Sequence, residues 1–275
     1  MFPAWPTSYA TILLGLALAG CQATTATETP VAAAVTAVPA GPAAAPVTPD
    51  SLRLTPTTPM PDLPDSIRQA VRRLHAQLGP EAATLRPEVL EQACVGYLTL
   101  RRAGRISHGG ILAVADMDLP SSEPRLWVLD VRKAEVLHRS HVAHGRGSGY
   151  LRARRFSNTM KSACTSLGFY RTQDTYQGKH GLSRRLRGLD PGQNDNALRR
   201  YVVLHAADYA SQDHLRRHGQ LGYSRGCPAL PPDQYRAIIQ AVGEGSCLFL
   251  SGPGLASKWL DGEAAARQWA ARGWR

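Results

Sequence analysis

Cys227 lies in the run Gly222-Tyr223-Ser224-Arg225-Gly226-Cys227-Pro228-Ala229-Leu230, and His205 ends the apolar run Val202-Val203-Leu204 just upstream. A thiol in a tight polar turn and an imidazole at a strand end are the parts of a nucleophile and its base. At an ordinary pKa of about 8.5, only roughly 3% of a thiol is thiolate at pH 7. A neighbouring imidazole that lowered this to about 6.5 would raise the thiolate to roughly 75%. The pair therefore points to acyl transfer. Gly226 and Cys227 supply backbone N–H groups as oxyanion donors, because a close-approaching turn at Gly226 tolerates no side chain. Ser224 either hydrogen-bonds within the turn or positions substrate.

Other chemistries find little support. None of the five cysteines (Cys21, Cys94, Cys164, Cys227, Cys247) forms a CxxC, and no HExxH occurs, so no metal is expected. Cys94, Cys164 and Cys247 read as small buried hydrophobes, with one disulfide among them open in an oxidising compartment. The Gly145 stretch lacks the pattern of a dinucleotide loop, and no phosphate-loop or GxSxG motif is present. No cofactor is implied. Formal net charge is +11. The cations concentrate in Arg152, Arg154, Arg155, Lys161, Lys179, Arg184, Arg185, Arg187, Arg199 and Arg200, which favours an anionic partner. No nucleic-acid-binding signature accompanies them.

The elements that must position the pair are mostly strands. Helical spacing of Ile67, Val71, Leu74 and Leu78 predicts a helix from Asp65 that stops at Gly79. A second helix starts at Pro87 and runs toward Gly104. Short β-rich runs follow at Ile111–Asp116, Arg125–Asp130, Val136–Val142, Gly168–Arg171, Tyr201–His205 and Cys247–Leu250, separated by turn clusters. Pro232–Val242 reads as one helix packed on them, and Asp261–Arg275 as a short amphipathic helix. His214 and His218 read as solvated residues of a polar loop.

The amino-terminal region has a different composition. Residues 11–20 form an apolar core too short to span a membrane and suited to an export signal. Leu18-Ala19-Gly20-Cys21 is similar to the bacterial lipobox, which makes Cys21 the expected lipidation site. Gln22 after the cysteine favours the outer membrane over the inner. From there to residue 61 the chain is nearly all Ala, Thr, Pro and Val, as in an extended tether reaching on the order of 120 Å. The expected organisation is a signal peptide at 1–20, a lipidated Cys21 with tether at 21–61, a helical part at 62–104, a catalytic domain at 105–252, and a tail at 253–275.

Several motifs then occur in one order: His144-Gly145-Arg146-Gly147-Ser148-Gly149, Phe156-Ser157-Asn158, Ser166-Leu167-Gly168-Phe169-Tyr170, Tyr176-Gln177-Gly178-Lys179-His180-Gly181, the strand ending in His205, and Gly222 to Ala229. This series resembles the murein L,D-transpeptidase catalytic-domain family, a branch of the YkuD-like L,D-transpeptidases, over roughly residues 63–252. The resemblance implies a mainly β, sandwich-like catalytic domain with flanking α-helices, acting on peptidoglycan stem peptides in the cell envelope. It implies Cys227 as nucleophile, His205 as general base and later acid, and the Ala206 carbonyl as the group that orients the imidazole. Arg225 stands where the common motif has histidine, and Pro228-Ala229-Leu230 replaces the segment that carries its arginine. Substrate carboxylates must then be met by Arg225 or the basic stretch. Tyr176 and Asn158 are expected to shape the fold or the substrate groove rather than to do chemistry, and His144 packs near the site in either a structural or a substrate-binding role. Two rivals stand beside transpeptidation: an L,D-carboxypeptidase or peptidoglycan hydrolase using water, and a noncatalytic peptidoglycan-binding lipoprotein.

Overall fold

The computed structural model describes Met60 and residues 63–275. The expected signal peptide, the Cys21 lipidation site and, Met60 apart, the tether lie outside the described residues.

Two helices open the described chain. α1 (Asp65–Leu78) buries Ile67, Ala70, Val71, Leu74 and Leu78 on one face, carries Asp65 in its first turn and stops at Gly79, as its periodicity and glycine predict. α2 (Pro87–Arg102) starts on proline and is buried on nearly every side from Val89 to Leu100. Its all-round burial follows from its position between the sheet and two helices.

The strands are β1 (Ile111–Asp116), β2 (Leu126–Asp130), β3 (Glu135–Ser140), β4 (Gly168–Gly178), β5 (Gly181–Gly188), β6 (Val203–Ala206), β7 (Ala229–Leu230) and β8 (Cys247–Ser251). They form one eight-stranded sheet in the order β3-β2-β1-β8-β4-β5-β6-β7. Pairing is antiparallel except for β1 with β8 and β6 with β7. The remaining helices are α3 (Gln212–His218), α4 (Tyr235–Val242) and α5 (Gly262–Arg272). The domain is mainly β with flanking helices.

Alternation along the central strands assigns most of the interior to two cores, beside a smaller cluster of Ala143, Ala207, Ala210, Leu221 and Ala229. Leu112, Val114, Trp127, Leu129, Phe169 and Phe249 face α1, α2 and α5, with the Phe169 and Phe249 rings stacked at 4.4 Å. Ala113, Ala115, Val128, Tyr170, Leu204, Leu248 and Leu250 face α4. Both faces of β1 are therefore buried, which explains its continuous apolar run.

The structure departs from the sequence reading in four places. The strand expected at Gly168–Arg171 continues to Gly178 and turns back as β5. The outer half of β4 is largely solvent-exposed and polar, and the facing half of β5 buries only Ser183 and Arg184, so hydrophobic alternation fades there. The strand expected from Tyr201 begins only at Val203, because Tyr201 adopts left-handed backbone, φ 56°. The polar loop expected around His214 and His218 is α3, capped by Ser211 accepting from His214 N–H. It buries no residue, so no apolar face marked it. Finally, β7 extends the nucleophile run beside β6.

Candidate active site

β6 and β7 bring the two candidate residues, His205 and Cys227, to one pocket. Their register sets His205 opposite Ala229, and Cys227 lies two residues earlier, where the chain enters β7. Both side chains line one pocket of about 820 Å³. The segment at Ala143–Arg146 clamps the nucleophile run from its other side. Ala143 N–H donates to the Ala229 carbonyl at 2.9 Å, Ser224 N–H to the His144 carbonyl at 3.0 Å, and Arg146 N–H to the Ser224 carbonyl at 2.9 Å. The His-Gly-x-Gly stretch thus serves as a backbone frame for the turn.

His205 is buried, with Nδ1 at 2.8 Å from the Ala206 carbonyl oxygen. A carbonyl only accepts, so Nδ1 carries the hydrogen and Nε2 of the neutral ring is left as proton acceptor. Burial pushes the imidazole below the ordinary histidine range, the Ala206 carbonyl opposes this, and His180 and Lys179 reinforce it. The His180 ring lies over His205 with centroids 4.6 Å apart.

The half-buried Cys227 thiol donates to the Tyr201 carbonyl at 3.6 Å. Burial pushes it above its ordinary range, against the downward pull of the Val203 N–H, Arg200 and Lys179. This corrects the expectation of a thiol already acidified by its imidazole. Both partners lose solvation in the pocket, and desolvation disfavours the charged form of each. Burial thus works against the charged form of both groups, which favours proton removal during attack over a standing ion pair.

The turn carries a second correction. Gly226 N–H donates to Ser224 Oγ at 2.9 Å, and that hydroxyl donates to the Cys227 carbonyl at 2.6 Å. Gly226 N–H is therefore committed inside the turn and is not an available oxyanion donor. The glycine itself is required twice over. Its φ is +120°, and a Cβ there would stand 2.5 Å from the Cys164 carbonyl, so neither backbone nor space admits a side chain.

Arg225 and Tyr176 line the same pocket, and Arg185 covers the Tyr176 ring at 4.3 Å. Asn158 and His144 do not line it. The Asn158 amide donates to Asp195 at 2.6 Å and accepts from Asn196 N–H at 3.1 Å, fastening one loop to another. His144 is fully buried, its Nδ1 accepting from Arg125 at 2.8 Å and its Nε2 donating to the Gly149 carbonyl at 3.3 Å. Burial and the Arg125 charge push its pKa down to about 3. The polar atoms of both side chains are thus engaged by the protein itself, which favours the structural one of the roles open to each.

A sequence profile of the L,D-transpeptidase catalytic domain matches residues 81–251, from before α2 to the end of β8. The chain belongs to the L,D-transpeptidase catalytic-domain family. A comparison with curated protein sequences found no match. Similar solved structures include an L,D-transpeptidase from Mycobacterium smegmatis, at 17% identity and TM-score 0.34 over 52% of this chain and 59% of that one. Others are a mutant of the helical cell shape determining protein Pgp2 from Campylobacter jejuni (12%, 0.38, 63% and 61%) and an L,D-transpeptidase from Enterococcus faecium (13%, 0.31, 53% and 50%). The chain spans less than two thirds of the length of each.

Within this L,D-transpeptidase domain the basic stretch divides by role. Arg154 pairs with Asp118 at 3.1 Å, Arg184 donates to the Gln173 and Ile239 carbonyls, and Arg185 pairs with Asp174. Lys161, Lys179, Arg199 and Arg200 instead line the pocket with Arg225, and no Asp or Glu accompanies them there. Among the described residues no group of three His, Cys, Asp or Glu side chains is placed to hold a metal. Cys94, Cys164, Cys227 and Cys247 carry free thiols. Sequence reading missed Arg200, Tyr201 and His180 as parts of the site. Arg200 was one cation among many, and nothing in a sequence signals the left-handed backbone of Tyr201.

Proposed function

We propose that this chain is a cell-envelope cysteine acyltransferase acting on peptidoglycan stem peptides, an L,D-transpeptidase using Cys227 and His205. The observation that carries the reading is the pocket itself. It places the thiol and imidazole among four tyrosines and five Lys or Arg side chains without a carboxylate. Such a field favours a peptide bearing several carboxylates, and Arg225, exposed in the pocket lining, is the proposed grip on one of them.

In the proposed reaction, the Cys227 thiol proton passes to His205 Nε2 as Sγ attacks the carbonyl carbon of the third stem residue. Among the described residues no group accepts from Cys227 N–H, which makes it the donor for the developing oxyanion. The tetrahedral intermediate collapses, the peptide C–N bond breaks, and terminal D-alanine departs with its nitrogen taking the proton from His205. A thioester remains on Cys227. The amine of a second stem, losing its proton to His205, attacks that thioester. The thiolate leaves and is reprotonated, which gives a cross-link between the third residues of two stems. Water in place of the amine would give carboxypeptidase activity.

Incubating wild type and Cys227→Ala with disaccharide tetrapeptides and analysing the muropeptides tests this. Cross-linked dimer is expected from wild type only. Tripeptide without dimer would establish water as acceptor, and no product from wild type would overturn catalysis. Lipidation at Cys21, with placement in the outer membrane, belongs to the same proposal. The lipobox-like run supports it, and intact-mass measurement of protein from membranes tests it: the unmodified cysteine would contradict it. Among the described residues no helix is long and apolar enough to cross a membrane.

A further inference from the structure

Arg200 precedes β6 and reaches under the nucleophile turn. Its guanidinium donates to the Ser157 carbonyl at 2.8 Å, Ser166 Oγ at 3.3 Å, Ser162 Oγ at 3.4 Å and the Cys164 carbonyl at 2.5 Å. Every one of these acceptors is a carbonyl or hydroxyl oxygen. Among the described residues no ion pair includes Arg200. Its charge is therefore shared with dipoles and not cancelled by an acid.

Three non-glycine residues around this fork hold left-handed backbone: Lys161 at φ 61°, Ala163 at 55° and Tyr201 at 56°. L-residues persist there only where their surroundings hold them, and such residues concentrate at functional sites. The fork ties down the loop that contains the first two and adjoins the third in sequence. Two paths then lead from Arg200 to the sulfur. Through Cys164, the carbonyl it holds is the one against which Gly226 packs, and a Cβ on Gly226 would stand 2.9 Å from Arg200 Nη2 itself. Through Tyr201, the next carbonyl along the chain accepts the Cys227 thiol hydrogen.

We propose that Arg200 is a positioning residue for the nucleophile: its fork fixes the floor on which the Gly226–Cys227 turn rests, and its unpaired charge stabilises the sulfur as its proton leaves. The downward pull of Arg200 on the thiol agrees with this. The proposal rests on Cys227 being the nucleophile. The Lys179 ammonium and the His205 and His180 rings also face the sulfur's pocket, so their protonation must be held constant between variants.

The test compares wild type, Arg200→Gln and Arg200→Lys by circular dichroism, by iodoacetamide alkylation of Cys227 against pH, and by acylation with a stem tetrapeptide. Alkylation needs no transpeptidase activity, so it separates failure of this proposal from failure of the functional one. In Arg200→Gln the alkylation midpoint is expected to rise by about half a pH unit or more, with about threefold slower alkylation at pH 7. Arg200→Lys keeps the charge and loses the fork. Its midpoint should stay near wild type, while acylation falls about tenfold or more. A folded Arg200→Gln with a wild-type midpoint would overturn the charge role, and wild-type acylation in Arg200→Lys would overturn the positioning role. Unfolding of both variants would contradict the proposal too, by placing the residue's importance in the fold alone.

Discussion

In the proposed reaction, the rate at which Cys227 is used depends on His205 being neutral when substrate arrives. Burial, His180 and Lys179 together hold its pKa below the ordinary histidine range. A base with a depressed pKa remains competent as pH falls past about 6.5 and is lost only at lower pH. The acidic limb of kcat/KM is therefore expected below pH 6.5. His180→Ala removes the ring whose electrostatic influence lowers the His205 pKa and admits water to the imidazole, and both changes raise that pKa. The acidic limb should shift to higher pH in that variant. A wild-type limb at or above pH 6.5, or a downward shift on His180→Ala, would contradict this assignment. The thiol itself is held high, so its free thiolate contributes only toward alkaline pH.

At the scale of elements, the nucleophile turn is held by its own side chain as well as by its neighbours. Ser224 is buried, accepts from Gly226 N–H and donates to the Cys227 carbonyl. Ser224→Ala leaves the buried Gly226 donor without its partner. Such a loss costs about 1–3 kcal/mol, readable in urea denaturation, and the loosened turn should slow acylation of Cys227. Unchanged stability and rate would show that the hydroxyl does neither task. Much of this element was legible beforehand. The Gly-Cys-Pro run, the apolar strand ending in His205 and the need for glycine at 226 are local patterns. The Gly226 N–H was misjudged because its partner depends on a side-chain rotamer, which sequence does not encode. The outer part of β4, the start of β5 and α3 were obscured because they carry no apolar periodicity. His144 sits in a motif whose glycines matter for backbone packing, which concealed that its own side chain is buried; the Asn158 amide is taken up by Asp195 and Asn196 of another loop.

For the whole molecule, the two cores tie the site to helices far from it in sequence. α5 buries Ala265 and sets Trp269 and Trp274 against the core that α2 fills, and the Tyr97 hydroxyl donates to the Trp274 carbonyl at 3.2 Å. Deleting residues 262–275 exposes this face, and the Tm of the remainder should fall by about 5 °C or more. An unchanged Tm would show that the helix is dispensable to the fold. The fold class was legible because the central strands, buried on both faces, are short continuous apolar runs separated by turn clusters. The division of the basic stretch was not, since an arginine tied to a carbonyl and one facing a pocket look alike in sequence. All of these features converge on one claim, that Cys227 is acylated by a stem peptide. Mass spectrometry of protein quenched in acid after mixing with a disaccharide tetrapeptide tests it most directly. A thioester on Cys227 is expected, formed with loss of D-alanine and absent in Cys227→Ser. An acyl group on another residue, or product released without any adduct on Cys227 and undiminished in Cys227→Ser, would contradict it.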